Sequence, residues 1–211
     1  MGGDDGPGTI IDGALVAARR LQVGLLLAGD RTLVERELAR HPAAASLDIE
    51  ILDTPEYVDM AEPASAALRR KPRASIRVAA EAVREGRAAA LFSAGHTGAS
   101  VMASIAVFGR LPGIDRPALA TIIPTRHAPA VLLDSGAMVE CRPQHLVQFA
   151  VMGSAYARLA FGQRTPRVGL LSVGEEEGKG NELTKDAHQL LKAAPINFVG
   201  NVEGRDIYAG T

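Results

Sequence analysis

The stretch Val168–Val199 reads VGLLSVGEEEGKGNELTKDAHQLLKAAPINFV, and its pattern decides the fold class. An apolar run, Val168–Val173, precedes a glycine-rich charged loop. A helical pattern over Glu182–Lys192 then leads to a second apolar run, Ile196–Val199. Continuous apolar runs are typical of strands buried on both faces, and a helix between two such strands connects them in parallel. The segment therefore predicts a strand–helix–strand unit.

The same alternation continues toward the N-terminus. Strands are predicted at Val23–Ala28, Leu47–Leu52, Ala88–Phe92, Leu119–Ile123 and Val131–Leu133, and helices at Thr32–Arg40, Ala74–Arg84, Gly98–Phe108 and Pro143–Phe161. The stretch Pro55–Arg73 is the least regular part of the chain. We expect an α/β fold of three layers, α/β/α, around a mostly parallel sheet, with residues 1–211 forming a single domain.

Composition excludes several classes of protein. The chain has 211 residues, 23 Lys plus Arg against 24 Asp plus Glu, only 4% aromatic residues and no Trp. A nucleic-acid-binding surface is usually basic and, for single strands, aromatic, so we expect no nucleic-acid partner. Cys141 is the single cysteine, which excludes an internal disulfide and fits a reducing cytoplasm. No signal peptide or membrane-spanning run is evident in this sequence.

Three loops follow predicted strands, where open α/β sheets bind their ligands. The first, Ser93–Ala99, contains Gly95 and Gly98 and leads into a helix. Glycine amides and a helix N-terminus attract anions, although a tight turn would show the same pattern. Thr97 is placed to cap the helix or bind an oxyanion. His96 is placed to donate to phosphate or transfer a proton, or is simply a polar surface residue.

The second and third loops are more charged. Asp134 ends a predicted strand, where it would bind a substrate donor or cap a turn. The third loop, Gly174–Glu182, has three consecutive carboxylates followed by Lys179, with Lys185 beyond the loop. Its spacing fails the rule for a nucleotide-binding P-loop. It is either a solvated loop with Asn181 capping the next helix or, as we favour, an anion site in which lysines offset the carboxylates.

Taken together, these segments resemble the bacterial phosphate acyltransferase family. The matching strings are MGGDDGP (Met1–Pro7), SIRVAAEAVREGRAAALFSAGHTGAS (Ser75–Ser100), LPGIDRPALATIIPT (Leu111–Thr125), LLDSGA (Leu132–Ala137), GEEEGKGNELTKDAHQLLK (Gly174–Lys192) and INFVGNVEGRDIY (Ile196–Tyr208). The resemblance covers essentially the whole chain in order. GEEEGKGNELTK with NVEGRD is highly specific, whereas His96 stands where the family commonly has Asn.

The resemblance implies a fold like that of isocitrate and isopropylmalate dehydrogenases and of phosphotransacetylases. It implies acyl transfer from acyl carrier protein to inorganic phosphate without a cofactor, in a homodimer. The acyl phosphate would supply a glycerol-3-phosphate acyltransferase in phospholipid synthesis. The implied location is the cytoplasm, with peripheral membrane contact through residues beyond Thr211. The family's chains extend further at both ends, so we expect this chain to be a truncated, N-terminal part.

The loop residues described above and the family resemblance together predict a site that binds phosphate and the thioester. The expected catalytic residues are Lys179, Asn181 and His96, and no metal ligand is expected. The expected substrate-binding residues are Gly3, Asp4, Ser93, Gly95, Thr97, Gly98, Asp134, Glu175, Glu176 and Lys185.

Three other functions remain open at this point. A phosphotransacetylase acting on short acyl-coenzyme A would share the fold and the reaction type. A decarboxylating dehydrogenase would need a spaced Asp cluster and a nicotinamide site, and the sequence shows no G-x-G-x-x-G pattern. An inactive fragment or scaffold is the third alternative.

Overall fold

The computed structural model of the chain describes residues 4–137 and 140–210, which fall into two compact units. The units are Met1–Arg110 and Leu111–Thr211. Each contains strands covered by helices, as an α/β chain requires. Whether residues 1–211 form one domain stays a prediction.

The first unit begins with a helix that the sequence analysis leaves without a prediction. Its elements are α1 (Gly6–Leu21), β1 (Leu25–Gly29), α2 (Arg31–Leu38), a 3-10 helix (Pro42–Ser46), β2 (Ile49–Asp53), α3 (Ala64–Arg70), α4 (Ser75–Arg84) and α5 (Thr97–Phe108). β1 and β2 pair in parallel, with Leu27 opposite Ile51. Ile11, Leu15 and Val34 bury the inner faces of α1 and α2 against this pair.

A second apolar cluster in this unit sets the start of α5. It is built largely from alanines, among them Ala67, Ala74, Ala99 and Ala103. Small side chains let helices approach closely, so α3, α4 and α5 pack together with little side-chain volume between them. The α3 helix lies inside the stretch that the sequence shows as irregular, and its packing on α5 brings residues 62–64 next to the first turn of α5.

The second unit holds the remaining strands. Its elements are β3 (Thr121–Ile123), β4 (Ala130–Leu132), α6 (Pro143–Phe161), β5 (Arg167–Leu171), α7 (Glu182–Lys192), β6 (Asn197–Val202) and α8 (Gly204–Ala209). β5 and β6 are parallel and joined through α7, whereas β3 and β4 are antiparallel. Leu170, Ala187 and Leu191 form the buried cluster between the β5–β6 pair and its helices.

A cavity of about 810 Å³ opens within this second unit. Its walls come from α6, β4 and β5, with apolar side chains such as Leu132, Phe149 and Leu170. Leu183 and Thr184 also line it. The interior of the unit is thus open beside the first turn of α7.

The predicted α/β class, with helices alternating with mainly parallel strands, is confirmed. The prediction of a strand at Ala88–Phe92 is wrong, since these residues have no regular structure and Phe92 is 82% exposed. An apolar run becomes a strand only where a neighbouring strand receives its backbone hydrogen bonds. No strand does so here among residues 4–137 and 140–210.

Candidate functional site

The loop between β5 and α7 is held at its C-terminal end by the cap of α7. Asn181 Oδ1 accepts a hydrogen bond from the backbone nitrogen of Thr184 at 3.0 Å. The Thr184 hydroxyl donates in turn to the carbonyl oxygen of Asn181 at 2.9 Å. The predicted cap is therefore present, and it fixes the backbone on which the neighbouring Lys179 stands.

Two of the three carboxylates of this loop pair with distant cations, whereas Glu176 has no ion-pair partner among the described residues. Glu175 Oε1 lies 3.4 Å from an Arg205 guanidinium nitrogen, and Glu177 Oε1 lies 2.7 Å from Lys192 Nζ. The hydrogen bond from Lys192 holds the pKa of the Glu177 carboxyl below its ordinary value. Lys179 is exposed and has no ion-pair partner among the residues that the structure describes. The loop thus presents a cation despite its acidic sequence.

Two buried residues that the sequence analysis missed hold the middle of the loop. Asn201 Nδ2 donates to the carbonyl oxygen of Glu176 at 2.8 Å. His188 Nδ1 contacts Asn201 Oδ1 at 2.9 Å. Asn201 lies within the NVEGRD string. The one sequence feature that could have identified it as a functional residue is that it is a polar residue in a strand.

Ser172, the first residue after β5, is a further group that sequence reasoning did not select. Its hydroxyl oxygen is buried and has no hydrogen-bond partner among the described residues. It lies 3.0 Å from the place that a Cβ on Gly180 would occupy, so it faces the end of the loop. A buried hydroxyl without a partner costs about 1–3 kcal/mol. The site therefore holds an unused donor and acceptor close to Asn181.

Lys185, predicted to bind substrate, lies on the first turns of α7. Its Nζ is 3.3 Å from Glu182 Oε1, and both side chains are exposed. An exposed ion pair of this kind contributes about 0–1 kcal/mol, so Lys185 can change partners easily.

The loop before α5 is organised by His96. Its Nδ1 accepts from the backbone nitrogen of Ala99 at 3.4 Å, so His96 and not Thr97 caps the helix. Thr97 is the first residue of α5 and is exposed. This corrects the first of the two roles expected for Thr97, capping of the helix, and its binding of an oxyanion stays a prediction. Earlier in the loop, the Ser93 hydroxyl accepts from the backbone nitrogen of Gly95 at 3.3 Å.

Both ring nitrogens of His96 are engaged by protein atoms. Nε2 lies 3.0 Å from the carbonyl oxygen of Glu62, so this nitrogen carries the proton. Glu62 is anchored by Lys71, whose Nζ is 2.5 Å from its Oε2, and this hydrogen bond lowers the pKa of the Glu62 carboxyl. A Cβ on Gly98 would lie 3.1 Å from the His96 ring. These contacts fix the orientation of the His96 ring.

Asp134 binds backbone groups in the second unit. Its Oδ1 accepts from the backbone nitrogen of Leu119 at 2.8 Å and from that of Ala137 at 3.2 Å. This carboxylate joins the segment before β3 to the loop after β4. The turn-capping interpretation of Asp134 accounts for these contacts.

The candidate residues are divided between the two units. Asp4, Ser93, Gly95, His96, Thr97 and Gly98 belong to the first, and Asp134, Glu175, Glu176, Lys179, Asn181 and Lys185 to the second. Asp4 is exposed in the turn before α1, and Gly3 lies outside the described residues. The structure brings together the residues within each loop.

Residues 4–137 and 140–210 contain neither a cluster of metal ligands nor a membrane-spanning helix. No group of three or more His, Cys, Asp or Glu side chains is arranged to hold a metal ion. In the same part of the chain, no helix has the length and apolar character needed to cross a membrane.

Comparison with known proteins gives a consistent set of relatives. The profile of the family described as "Fatty acid synthesis protein" matches residues 1–211. A phosphate acyltransferase from Nitratidesulfovibrio vulgaris (strain DP4) is 53% identical over 211 residues, which are 100% of this chain and 61% of that protein. One from Pelotomaculum thermopropionicum is 50% identical over 210 residues, with the same coverage of 100% and 61%.

The chain spans about 61% of the length of these curated relatives. Among solved structures, the EutD phosphotransacetylase from Staphylococcus aureus aligns over 85% of this chain and 69% of its own. Its sequence identity is 15% and its TM-score 0.49.

Proposed function

Because the chain belongs to the fatty acid synthesis protein family that includes the phosphate acyltransferases, we propose that it makes acyl phosphate from acyl carrier protein thioester and inorganic phosphate. The name of the curated relatives supports acyl transfer involving phosphate. The carrier-protein donor and the use of acyl phosphate in phospholipid synthesis are our inference from the sequence resemblance.

The Gly174–Asn181 loop is the observation that carries this proposal. With Glu175 and Glu177 paired to distant cations, Lys179 is available to a substrate anion. The α7 N-terminus beside it adds roughly half a positive charge. An anionic substrate such as phosphate fits this arrangement.

The reaction needs few groups from the protein. A phosphate oxygen bonds to the thioester carbonyl carbon, the carbon–sulfur bond breaks, and the electron pair leaves with the thiolate, which takes a proton from solvent. In this proposal Lys179 pairs with the phosphate and offsets charge on the tetrahedral oxyanion. Asn181 acts by fixing the start of α7. A catalytic role for His96 stays a prediction.

The direct test is mass spectrometry of the product. The protein at its natural full length, given long-chain acyl carrier protein and phosphate, should form acyl phosphate equally well before and after treatment with a chelator. Phosphate is already an anionic nucleophile and a thiolate is a good leaving group, so the reaction needs no Lewis acid.

Acetyl-coenzyme A and phosphate serve as the parallel reaction. Faster turnover of acetyl-coenzyme A would favour the phosphotransacetylase alternative. Activity that disappears with chelator and returns with a divalent ion would contradict the prediction that no cofactor is needed.

A second prediction concerns Ser172. Ser172→Ala should raise KM for phosphate about tenfold, the effect of losing one hydrogen bond to a charged group. The melting temperature should stay constant or rise, because the buried hydroxyl has no partner among the described residues. Ser46→Ala, which removes a hydroxyl bonded to the carbonyl oxygen of Ala43, is the control. A lower melting temperature with an unchanged KM would make Ser172 structural.

The remaining partners belong to the same proposal. We propose a cytoplasmic homodimer that touches the membrane peripherally and passes acyl phosphate to a glycerol-3-phosphate acyltransferase. On α6, Phe149 is buried within the unit, whereas Leu159 is 89% exposed and Tyr156 40% exposed. Together with Val151, which is 41% exposed, these are the exposed large apolar side chains on α6 that a dimer contact would cover.

A further inference from the structure

The parallel strand β6 contains an irregularity immediately before Asn201. Val168 pairs with Phe198, but the next residue, Gly169, pairs with Gly200, so Val199 is an extra residue in β6. Gly200 has φ +99°, a conformation that residues with a side chain rarely adopt. This is a β-bulge, a feature that re-aims side chains and is frequent next to active sites.

The bulge decides which way Asn201 points. In a regular strand, residues three apart face opposite sides of the sheet. Phe198 and Asn201 nevertheless both contact His188, through ring packing at 5.1 Å and a hydrogen bond at 2.9 Å. The extra residue therefore turns Asn201 from the exposed side to the α7 side of β6, where it is only 6% exposed.

Once turned inward, Asn201 binds the charged loop. Its Nδ2 donates to the carbonyl oxygen of Glu176, and the same oxygen accepts from the backbone nitrogen of Lys179 at 3.0 Å. Because Nδ2 is engaged, Asn201 Oδ1 is the acceptor and His188 Nδ1 carries the proton. This hydrogen bond sets the orientation of both side chains, and His188 is only 3% exposed.

The next loop residue, Glu177, is held by a different side chain. His188 Nε2 lies 3.6 Å from Glu177 Oε1, which Lys192 binds. Two consecutive loop residues are thus held by the protein, Glu176 through its backbone by Asn201 and Glu177 through its side chain by Lys192. Lys179 is the exposed cation two positions further along the loop.

We propose that Asn201 and His188 are positioning residues, which hold the Glu176–Lys179 turn so that Lys179 meets the substrate anion. The inference rests on the proposed function for the role of Lys179. We call the clamp the β6 bulge together with Asn201 and its hydrogen bond to the Glu176 carbonyl oxygen. Whether the clamp holds the loop can be tested without any substrate.

The sharpest variant is Asn201→Asp in the protein at its natural full length. Aspartate has nearly the same shape and keeps the acceptor for His188, but it loses the donor to Glu176. Asn197→Asp, on an exposed position of the same strand, makes the same charge change outside the clamp and is the matched control. Gly200→Ala is a second route, since it strains the bulge and leaves the Asn201 side chain intact.

Loop mobility is measured by hydrogen exchange at the Lys179 amide and by trypsin cleavage after Lys179. Asn201→Asp and Gly200→Ala should speed both about tenfold, the effect of losing one hydrogen bond, whereas Asn197→Asp should match wild type. In the acyl phosphate assay, the same two variants should raise KM for phosphate about tenfold with a smaller change in kcat.

Each other outcome overturns part of the inference. Unchanged exchange in Asn201→Asp would show that the clamp does not hold the loop. Faster exchange with unchanged KM would show that the held conformation does not matter for substrate. A wild-type protein that makes no acyl phosphate would refute the proposed function instead, and the clamp would then be judged by exchange alone.

Discussion

Lys179→Ala should lower kcat/KM for acyl phosphate formation about 100-fold, the usual cost of removing one charge-stabilising donor from a site. The melting temperature should change little, because an exposed side chain contributes within about 0.5 kcal/mol of stability. Lys179 is exposed and is the loop's cation without an ion pair among the described residues. Its loss would leave the substrate phosphate near the carboxylate of Glu176, which has no ion-pair partner among the described residues, with no lysine on the loop itself to oppose that charge.

The controls separate charge from shape. Arg158→Ala removes an exposed cation from α6 of the same unit and should leave turnover unchanged. Lys179→Arg keeps the charge and should recover part of the activity. If Lys179→Ala turned over normally but melted at a much lower temperature, Lys179 would be a structural residue and the proposed site would be wrong.

Gly180→Ala should damage both stability and activity, by about 1–3 kcal/mol of backbone strain and by loss of most turnover. Gly180 has φ +94°, and a Cβ there would collide with the Thr184 hydroxyl and lie 3.0 Å from Ser172 Oγ. Thr184 holds the carbonyl oxygen of Asn181, so displacing it would open the cap of α7. The loop would then lose the fixed end on which Lys179 depends.

Gly178 provides a control two residues away in the same loop. A Cβ on Gly178 would meet nothing within 4 Å, so Gly178→Ala should fold and turn over like wild type. Thermal melting and the acyl phosphate assay on both variants give the comparison. Equal behaviour of the two variants would show that the conformation at Gly180 carries no special role.

Local signals account for the elements that the sequence predicted well. The bounds of α6 and α7 agree with the prediction. Pro143 begins α6, Gly162 ends it in a left-handed conformation, and Asn181 caps α7. Each of these signals acts within one helical turn, so it can be recognised in the sequence without knowledge of the rest of the chain. The α1 helix, with Ile11 and Leu15 on its buried face, was accessible to the same reasoning but was not identified.

The sequence did not predict those features whose structure depends on a contact with a distant part of the chain. Ala88–Phe92 has the composition of a strand, but no strand pairs with it among the described residues. One contact of His96 likewise depends on residues that are distant in the sequence. Its contact with the Glu62 carbonyl oxygen depends on α3 packing against α5, which no local pattern indicates.

The sequence by itself determined the α/β class, the helix that follows the charged loop and its Asn181 cap, because these follow from hydrophobic period and short-range hydrogen bonds. Only the tertiary structure decided that the acidic loop presents a cation. Glu175 pairs with Arg205, which it shares with Glu203, and Glu177 pairs with Lys192, across 30 and 15 positions of chain. It also decided that Asn201 faces inward, since one extra residue in β6 reverses the alternation of side chains, and that reversal depends on the pairing of β6 with β5.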